Sequence, residues 1–389
     1  MRALRSFHQW MFGYGSPVTL GAFRIIFASL TFVNLAMVAI DFDAWYTENG
    51  FVPIELLHRW NGGMPRFGLL DHVTNPHVTA VFYGLTMLAA LLTAVGLFTR
   101  VSSIALLVGI ISIHHRNPDI LHSGDTLVRA MLVYIAVAPS GASCSLDRLI
   151  GLWRGTAPKE LEPVSLWPQR MMQLQIAIVY FTTVWQKSFG DLWLNGTATH
   201  YVLHLKEFDR FPIPGFADHQ PMVAITTYGT LLIELAMGTL VFSKPLRKWV
   251  LIGGLLLHGG IEYRFNIPMF AFIICSCYIT FYEGDEVAGW FARLGERFKK
   301  YRLKVAAPAA LKEGPELALE AADPLHLVNY TRGAGDDWVV EQEQSGAKVS
   351  TFAVLKRSMG LWPLVVFPPA WGRMLSSSTE RQEAAVSAD

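Results

Sequence analysis

Apolar segments long enough to cross a lipid bilayer alternate with polar loops along the first 284 residues. The segments cover residues 17–40, 77–98, 101–115, 125–143, 170–189, 221–243, 246–262 and 266–283. A helix needs about 20 mostly apolar residues to span the hydrocarbon core. Two segments, 101–115 and 246–262, are shorter and directly follow a basic turn. The pattern predicts an all-α integral membrane protein, a bundle of about eight transmembrane helices.

The composition agrees with a membrane protein. Hydrophobic residues make up 52% of the 389-residue chain and charged residues only 16%, whereas soluble domains average about 25% charged residues. A net charge of +1 gives no reason to expect nucleic acid as a partner. The three cysteines, Cys144, Cys275 and Cys277, form no CxxC pair, so neither a disulfide framework nor a cysteine zinc site is predicted.

Basic residues concentrate at alternate ends of the predicted helices. They lie at the N-terminus and after the second, fourth, sixth and eighth segments, for example at Arg2, Arg100 and Lys248. Lysine and arginine favour the cytoplasmic side of a membrane. The pattern therefore predicts a multi-pass protein of the cell inner membrane with cytoplasmic N- and C-termini. The loops 41–76 and 189–221 are then expected on the non-cytoplasmic side.

The chain changes character after the transmembrane domain, residues 1–284. Residues 285–304 carry apolar residues at helical spacing beside a basic face, which predicts an amphipathic helix on the inner membrane surface. A small cytoplasmic segment, 305–375, is expected to begin with a linker that is rich in alanine, proline and glutamate. Its second half could form two short strands and a helix. Residues 376–389 are polar and are predicted to be disordered.

A polar cluster interrupts the apolar pattern between the third and fourth segments. Asn117-Pro118 must end the third helix, and Gly124 permits a turn. Ionisable groups at the edge of a membrane span are costly and indicate functional sites. Asp125 and Arg129 can neutralise each other across one helical turn, or Asp125 can be a first-turn acid. The cluster predicts a site residue, His122, with four supporting pocket residues: Arg116, Asn117, Asp125 and Arg129.

A second cluster lies at the end of the fifth segment. Lys187 is flanked by Trp185 and Phe189, and Asp191 and Trp193 follow it in the loop. A dry environment favours the neutral amine of a lysine, which can then act as a general base. The alternative is a lysine that reaches to the lipid headgroups and anchors the helix. Lys187 is predicted to be catalytic, with Asp191 and Trp193 in the supporting pocket.

Further ionisable groups lie in other segments. His258 can join the same pocket or be a packing histidine. Arg24 and Glu234 are interpreted as an ion pair between two helices. His200 and His204 have a helical spacing that suits a metal ion, but the sequence offers no third ligand, so no metal is expected.

Three stretches together resemble a known family: DAWYTENGFVP, RNPDILHSGDTLVRAMLVYIAVAPSG and VYFTTVWQKSFGDLWLNGT. They are similar to the HTTM family, the horizontally transferred transmembrane domain of vitamin K-dependent gamma-carboxylase and its bacterial relatives. The resemblance runs from about residue 12 to residue 284. It implies that Lys187 is the base that deprotonates a reduced quinone, and that His122 assists by hydrogen bonding. The implied cofactor is vitamin K hydroquinone or menaquinol, with O2 and CO2 as co-substrates.

The resemblance also implies a reaction and its partners. Oxygenation of the quinol would give a strong base and finally a quinone epoxide, and that base would remove a proton from the γ-carbon of a glutamate, to which CO2 adds. The expected partners are a lipid quinone, membrane lipids and a peptide or protein substrate on the non-cytoplasmic side. The alternative function is an HTTM protein without catalysis that serves transport, export or maturation of a secreted peptide. A transporter should show matching broken helices in its two halves, and only Asn117-Pro118 interrupts a segment.

Overall fold

Helices dominate the protein, whose computed structural model describes residues 2–61, 68–307, 313–333 and 339–346. The helices are α1 (Arg2–Phe12), α2 (Val18–Val38), α3 (Phe42–Tyr46), α4 (Ile54–Asn61), α5 (Pro76–Val95), α6 (Thr99–Arg116), α7 (Ser123–Val137), α8 (Leu146–Arg154), α9 (Trp167–Lys187), α10 (Asp191–Leu194), α11 (Ala198–Leu203), α12 (Gln220–Thr239), α13 (Lys244–Arg264), α14 (Phe270–Ser276), α15 (Gly284–Arg297) and α16 (Glu313–Ala321). Short 3₁₀ helices cover Ala39–Asp41, Lys206–Phe208, Leu240–Phe242, Cys277–Phe281 and Lys299–Tyr301.

Two small sheets accompany the helices. Strands β1 (Tyr14–Gly15) and β2 (Val164–Ser165) pair antiparallel, with Tyr14 opposite Ser165. Strands β3 (Leu303–Ala307), β4 (Val328–Arg332) and β5 (Val339–Gln342) form a sheet in the order β4-β3-β5. In it β3 runs parallel to β4 and antiparallel to β5, and Leu303 lies opposite Val328 and Gln342.

Each of the eight apolar segments coincides with a helix: α2, α5, α6, α7, α9, α12, α13, and α14 with the 3₁₀ helix after it. Within the described residues, three helical stretches are long and apolar enough to cross a membrane, Val18–Tyr46, Pro76–Val95 and Gln220–Phe242. The last segment is shorter, because its apolar helix covers only Phe270–Phe281. The protein is thus a mostly helical membrane protein, and eight crossings with a cytoplasmic tail stay a prediction.

Local sequence signals explain where several helices begin and end. The Asn75 side chain accepts a hydrogen bond from the His77 amide, and Pro76 occupies the first turn of α5. That helix ends at Gly96, whose φ of 69° is the left-handed conformation that glycine adopts without strain. The last helical residue of α6 is Arg116, next to Asn117-Pro118 as predicted.

Arg24 is fully buried in α2 and does not pair with Glu234. Its guanidinium donates to the backbone carbonyls of Ser140, at 3.0 Å, and Cys144, in the turn after α7. The predicted ion pair with Glu234 is wrong. Backbone carbonyls accept from both terminal nitrogens of Arg24, whereas its Nε has no partner among the described residues, and the sequence does not show which carbonyls approach.

The C-terminal part of the described chain packs on α8. The amphipathic helix α15 ends at Arg297, so the predicted range 285–304 is too long, and Leu303–Ala307 is a strand. The predicted linker instead contains β3 and α16. Leu303 and Val305 are buried in a cluster with Leu149 and Leu319. Burial of every second residue is typical of a strand. Residues 347–389, including the predicted helix and disordered tail, lie outside the described residues.

The loops that follow α3, α6, α9 and α13 meet at one end of the bundle. Arg116 Nη1 donates to the Val52 carbonyl at 2.7 Å, and His122 Nε2 lies 3.2 Å from the Pro268 carbonyl. Arg210, in the loop after α11, donates to the Glu262 carbonyl at 2.8 Å. We call this end, which contains Val52, His122, Pro268 and Arg210, the loop face.

Candidate functional site

An ion pair between α9 and α12 lies on the loop-face side of the bundle. Lys187 is the last residue of α9, and its Nζ is 2.6 Å from both carboxylate oxygens of Glu234. The ammonium also lies over the ring of Trp193, 4.6 Å from its centroid. The two side chains are 22% and 11% exposed, so a small molecule has limited access to them. Such short, two-oxygen contacts are typical of charge-assisted hydrogen bonds.

A chain of three polar groups lies beside this pair. Tyr180 precedes Lys187 by seven residues, two helical turns, and so occupies the same face of α9. Its Oη is 2.7 Å from Nε2 of His258 on α13 and 2.6 Å from Oη of Tyr278. A Cβ at Gly254 would lie 2.7 Å from the Tyr278 hydroxyl, so this glycine makes room for the chain.

The hydrogen bonds of this chain have two arrangements that satisfy both hydroxyls. In one, Nε2–H of His258 donates to Tyr180, Tyr180 donates to Tyr278, and Tyr278 donates to the neighbouring Cys275. In the other, the direction of the hydrogen bonds is reversed. Tyr278 donates to Tyr180, and Tyr180 donates to Nε2 of His258. The hydrogen of His258 is then on Nδ1, which is buried and has no hydrogen-bond partner among the described residues. In this arrangement Nδ1–H of His258 is a donor that the described residues leave unused, whereas in the first arrangement Nδ1 is an unused acceptor.

His122 has a clear structural task at the N-terminus of α7. Its Nδ1 accepts from the Gly124 amide at 2.9 Å, and its own amide donates to Asp125 at 2.9 Å, which forms a capping box. Its Nε2 faces the Pro268 carbonyl. Both ring nitrogens are thus engaged locally. The Phe270 ring neighbours both imidazoles, with centroid distances of 6.1 Å to His122 and 5.4 Å to His258.

Two of the predicted pocket residues fasten the loop after α3. Arg116 is fully buried and donates to the carbonyls of Val52, at 2.7 Å, and Thr47, at 3.1 Å. The side-chain amide of Asn117 donates to the Trp45 carbonyl at 2.9 Å. These hydrogen bonds connect the end of α6 to the loop and give both polar side chains a structural role.

The other predicted pocket residues are dispersed. Asp125 is buried, and its carboxylate lies 3.6 Å from His122 Nε2 and 3.9 Å from His114 Nε2. Arg129 donates to the Thr126 hydroxyl at 3.3 Å, one residue away from the predicted partner Asp125. Asp191 is exposed at the start of α10. The structure brings Lys187, Trp193 and His258 into one region, whereas the polar contacts of His122, Arg116 and Asn117 are to other groups.

Three residues of this site escaped sequence reasoning. Glu234 received the wrong partner, because it follows Lys187 by 47 residues and no local pattern connects them. Tyr180 had a usable signal, its helical spacing from Lys187. Tyr278 had none, since only the packing of the 3₁₀ helix Cys277–Phe281 brings it to Tyr180.

Comparison with known protein families identifies the family of this chain. The model of the HTTM domain matches residues 15–285, more than half of the chain. The chain belongs to the HTTM family. This HTTM family is associated with vitamin K-dependent carboxylase-like membrane proteins. No curated protein and no solved structure matched the chain.

The side chains of this HTTM site are of the chemical kinds that a reduced quinone needs as contacts. Such a molecule has a flat apolar ring with hydroxyl groups, so it needs aromatic walls and a few polar contacts. Trp193 and Phe270 supply aromatic surfaces next to Lys187 and His258. Nδ1 of His258, which has no partner among the described residues, and the carboxylate of Glu234 offer two polar contacts.

Proposed function

We propose that this HTTM protein is a membrane-embedded enzyme that acts on a reduced quinone, with Lys187 and Glu234 as its proton-transfer pair. The observation that carries the proposal is the pair itself, with Nζ 2.6 Å from both carboxylate oxygens. Ionisable residues within membrane helices are costly and serve function by default. The membership of the HTTM family supports the same class of chemistry.

The geometry of the pair suggests a different base from the one predicted from the sequence, which was Lys187. An ammonium and a carboxylate in contact can take up one proton, and the carboxylate of Glu234 is the group with a free lone pair to receive it. Lys187 then keeps its positive charge where negative charge develops on the substrate, which is electrostatic stabilisation in a water-poor site. In this proposal the base is Glu234 and Lys187 compensates the charge.

His258 supplies the second polar contact. Its Nδ1 is buried without a partner among the described residues, Tyr180 orients the ring through Nε2, and we propose that Nδ1 carries the hydrogen. A donor of this kind can bind an oxygen of the substrate and stabilise charge on it. This task replaces the one predicted for His122, whose ring nitrogens serve the α7 cap and the Pro268 carbonyl.

A bound reduced quinone would supply the hydroxyl proton and the electrons for reaction with O2. We propose, as the family resemblance implies, that this chemistry is coupled to γ-carboxylation of glutamate or a related modification at the loop face, with CO2 as the co-substrate. A water-poor site would protect a strongly basic species from quenching. The aromatic surroundings of Lys187 and its 22% exposure support such a site.

The test is oxygen consumption by the purified protein in nanodiscs, with reduced menaquinone or a vitamin K analogue. We expect Glu234→Gln to lower turnover by about 10²-fold or more, because a general base contributes roughly that factor. Lys187→Arg should keep measurable turnover, since arginine retains the charge and can hold a carboxylate with two hydrogen bonds. Glu262→Gln is the matched control, because Glu262 also pairs with a basic residue, Arg210, at the loop face.

The outcomes separate the alternatives. Loss of turnover in Lys187→Arg with an active Glu234→Gln would make neutral Lys187 the base, as the sequence predicts. Equal losses in Glu234→Gln and Glu262→Gln would mean that any broken ion pair inactivates the protein. A parent protein that consumes no oxygen above empty nanodiscs would contradict the proposal and favour a non-catalytic role in transport, export or peptide maturation.

A further inference from the structure

A second cluster of ligand-type side chains lies in the loop between α9 and α12. His200 belongs to α11 and His204 follows its last residue, so the two rings lie one turn apart with centroids 4.3 Å from each other. Asp218 approaches them from the end of the loop, with Oδ1 3.3 Å from Nε2 of His204. One ligand atom from each of the three residues lies within 4.8 Å of the others.

Backbone carbonyls orient both imidazoles. His200 Nδ1 is 2.7 Å from the Ala217 carbonyl, and His204 Nδ1 is 2.7 Å from the His200 carbonyl. A carbonyl oxygen can only accept, so each Nδ1 carries the hydrogen and each Nε2 has an available lone pair. Metal-binding histidines show the same arrangement, in which the second ring nitrogen donates to a carbonyl or carboxylate.

The spacing of the ligand atoms suits a first-row metal ion. Bonds of 2.0–2.1 Å to a tetrahedral zinc ion place neighbouring ligand atoms about 3.3–3.4 Å apart. The distance between His204 Nε2 and Asp218 Oδ1 is 3.3 Å. Two imidazoles and a carboxylate are ligands that divalent transition metals accept. Three protein ligands also leave one position of a tetrahedral site open for water or a substrate group.

We propose that His200, His204 and Asp218 form a binding site for a divalent transition-metal ion at the loop face. The sequence argued against a metal because it offered two ligands, and the fold supplies the third from 14 residues beyond His204. This proposal goes beyond the quinol chemistry and does not depend on it. His204 and Asp218 are 47% and 70% exposed, so an ion in solution can reach the site.

The bound ion would close the loop of residues 205–217 above the helix that carries Glu234. The Thr199 hydroxyl of α11 contacts the hydroxyls of Thr226 and Thr227 on α12, each at 2.8 Å. Glu234 lies seven residues, or two helical turns, beyond Thr227 on α12. The metal site is therefore built on α11 and the loop before α12, and α11 packs on the same helix, α12, that carries Glu234.

Metal binding is measured on the full-length protein in nanodiscs, prepared without a histidine tag and stripped with a chelator. Zn²⁺ is titrated against a chromogenic chelator, and Co²⁺ is added separately to record the visible absorption of a tetrahedral site. We expect one Zn²⁺ per chain, and a more than about 10-fold weaker affinity in His204→Asn and Asp218→Asn. His219→Asn is the matched control, because His219 is exposed beside Asp218 but outside the cluster.

A second measurement locates the ion without using affinity. Limited trypsin digestion should cut after Lys206 more slowly with Zn²⁺ than without it, and the Asp218→Asn variant should lose that protection. No stoichiometric Zn²⁺ in the parent protein would overturn the proposal. Equal Zn²⁺ affinity in Asp218→Asn and His219→Asn would overturn it as well, since the His204–Asp218 contact would then be a surface ion pair of little energetic weight. Neither readout involves quinol turnover, so failure here leaves the proposed function standing.

Discussion

Tyr180 is the central member of the hydroxyl chain, and its removal should have a larger effect than removal of its neighbour. Tyr180→Phe deletes the oxygen that contacts both His258 Nε2 and the Tyr278 hydroxyl, at 2.7 and 2.6 Å. Two buried polar groups then lose a partner. Tyr278→Phe removes only one end of the chain and leaves the contact between Tyr180 and His258 in place.

The magnitudes follow from the number of groups left without a partner. A buried polar group that loses its hydrogen bond costs about 1–3 kcal/mol in soluble proteins. In membrane proteins side-chain hydrogen bonds average about 0.6 kcal/mol, because the unfolded reference state also finds partners. We therefore expect Tyr180→Phe to lower the free energy of unfolding by about 1–3 kcal/mol and Tyr278→Phe by about 0.5 kcal/mol.

The double variant tests whether Tyr278, Tyr180 and His258 form one hydrogen-bonded chain. Tyr180→Phe with Tyr278→Phe leaves His258 alone without a partner, so it should be no less stable than Tyr180→Phe and closer to the parent. The assay is reversible unfolding of the purified protein in mixed micelles, with each variant in a double-mutant cycle. Strictly additive losses would refute the reasoning, because independent hydroxyls show no coupling energy.

Two further predictions follow from the packing and the charge pattern. Gly254→Ala should destabilise the protein, because the added Cβ would lie 2.7 Å from the Tyr278 hydroxyl. This clash should outweigh the higher helix propensity of alanine, about 1 kcal/mol. Gly253→Ala, whose Cβ would have its nearest neighbour at 3.6 Å, should be neutral or stabilising in the same unfolding assay. A reporter that is active only outside the cytoplasm should be active when fused after residue 60 or 205 and silent at the C-terminus, and an active C-terminal fusion would contradict the eight-crossing topology.

The apolar pattern predicted the helices well, because long apolar runs and their caps are local properties. The start of α5 at Asn75-Pro76 and the end of α6 before Asn117-Pro118 are encoded within a few residues. Strand β5 lies in the segment where short strands were predicted, but β3 and β4 were missed for a related reason. Their burial depends on α8, which precedes β3 by about 150 residues, and composition alone resembles that of a linker.

The site was predicted only in part, because its contacts join distant segments and often use the backbone. Lys187 and His258 were recognised as polar groups in apolar surroundings, but the partner of Lys187 lies 47 residues away. The terminal nitrogens of Arg116 and Arg24 donate to carbonyl oxygens, which every residue carries and no sequence pattern distinguishes. His122 shows the same limit, since its capping geometry became visible only with the turn before α7.

The burial of Arg24 has a consequence for how the protein is made. Its two acceptors, the carbonyls of Ser140 and Cys144, follow it by 116 and 120 residues. At a synthesis rate of about 5–20 residues per second, α2 leaves the ribosome roughly 6–24 s before those acceptors do. An arginine costs about 2.5–3.5 kcal/mol at the centre of a membrane helix, and the cost is smaller for Arg24, the seventh residue of α2. The first apolar helix should therefore stay at the insertion machinery, or near the bilayer surface, until α7 and the turn after it have been translated.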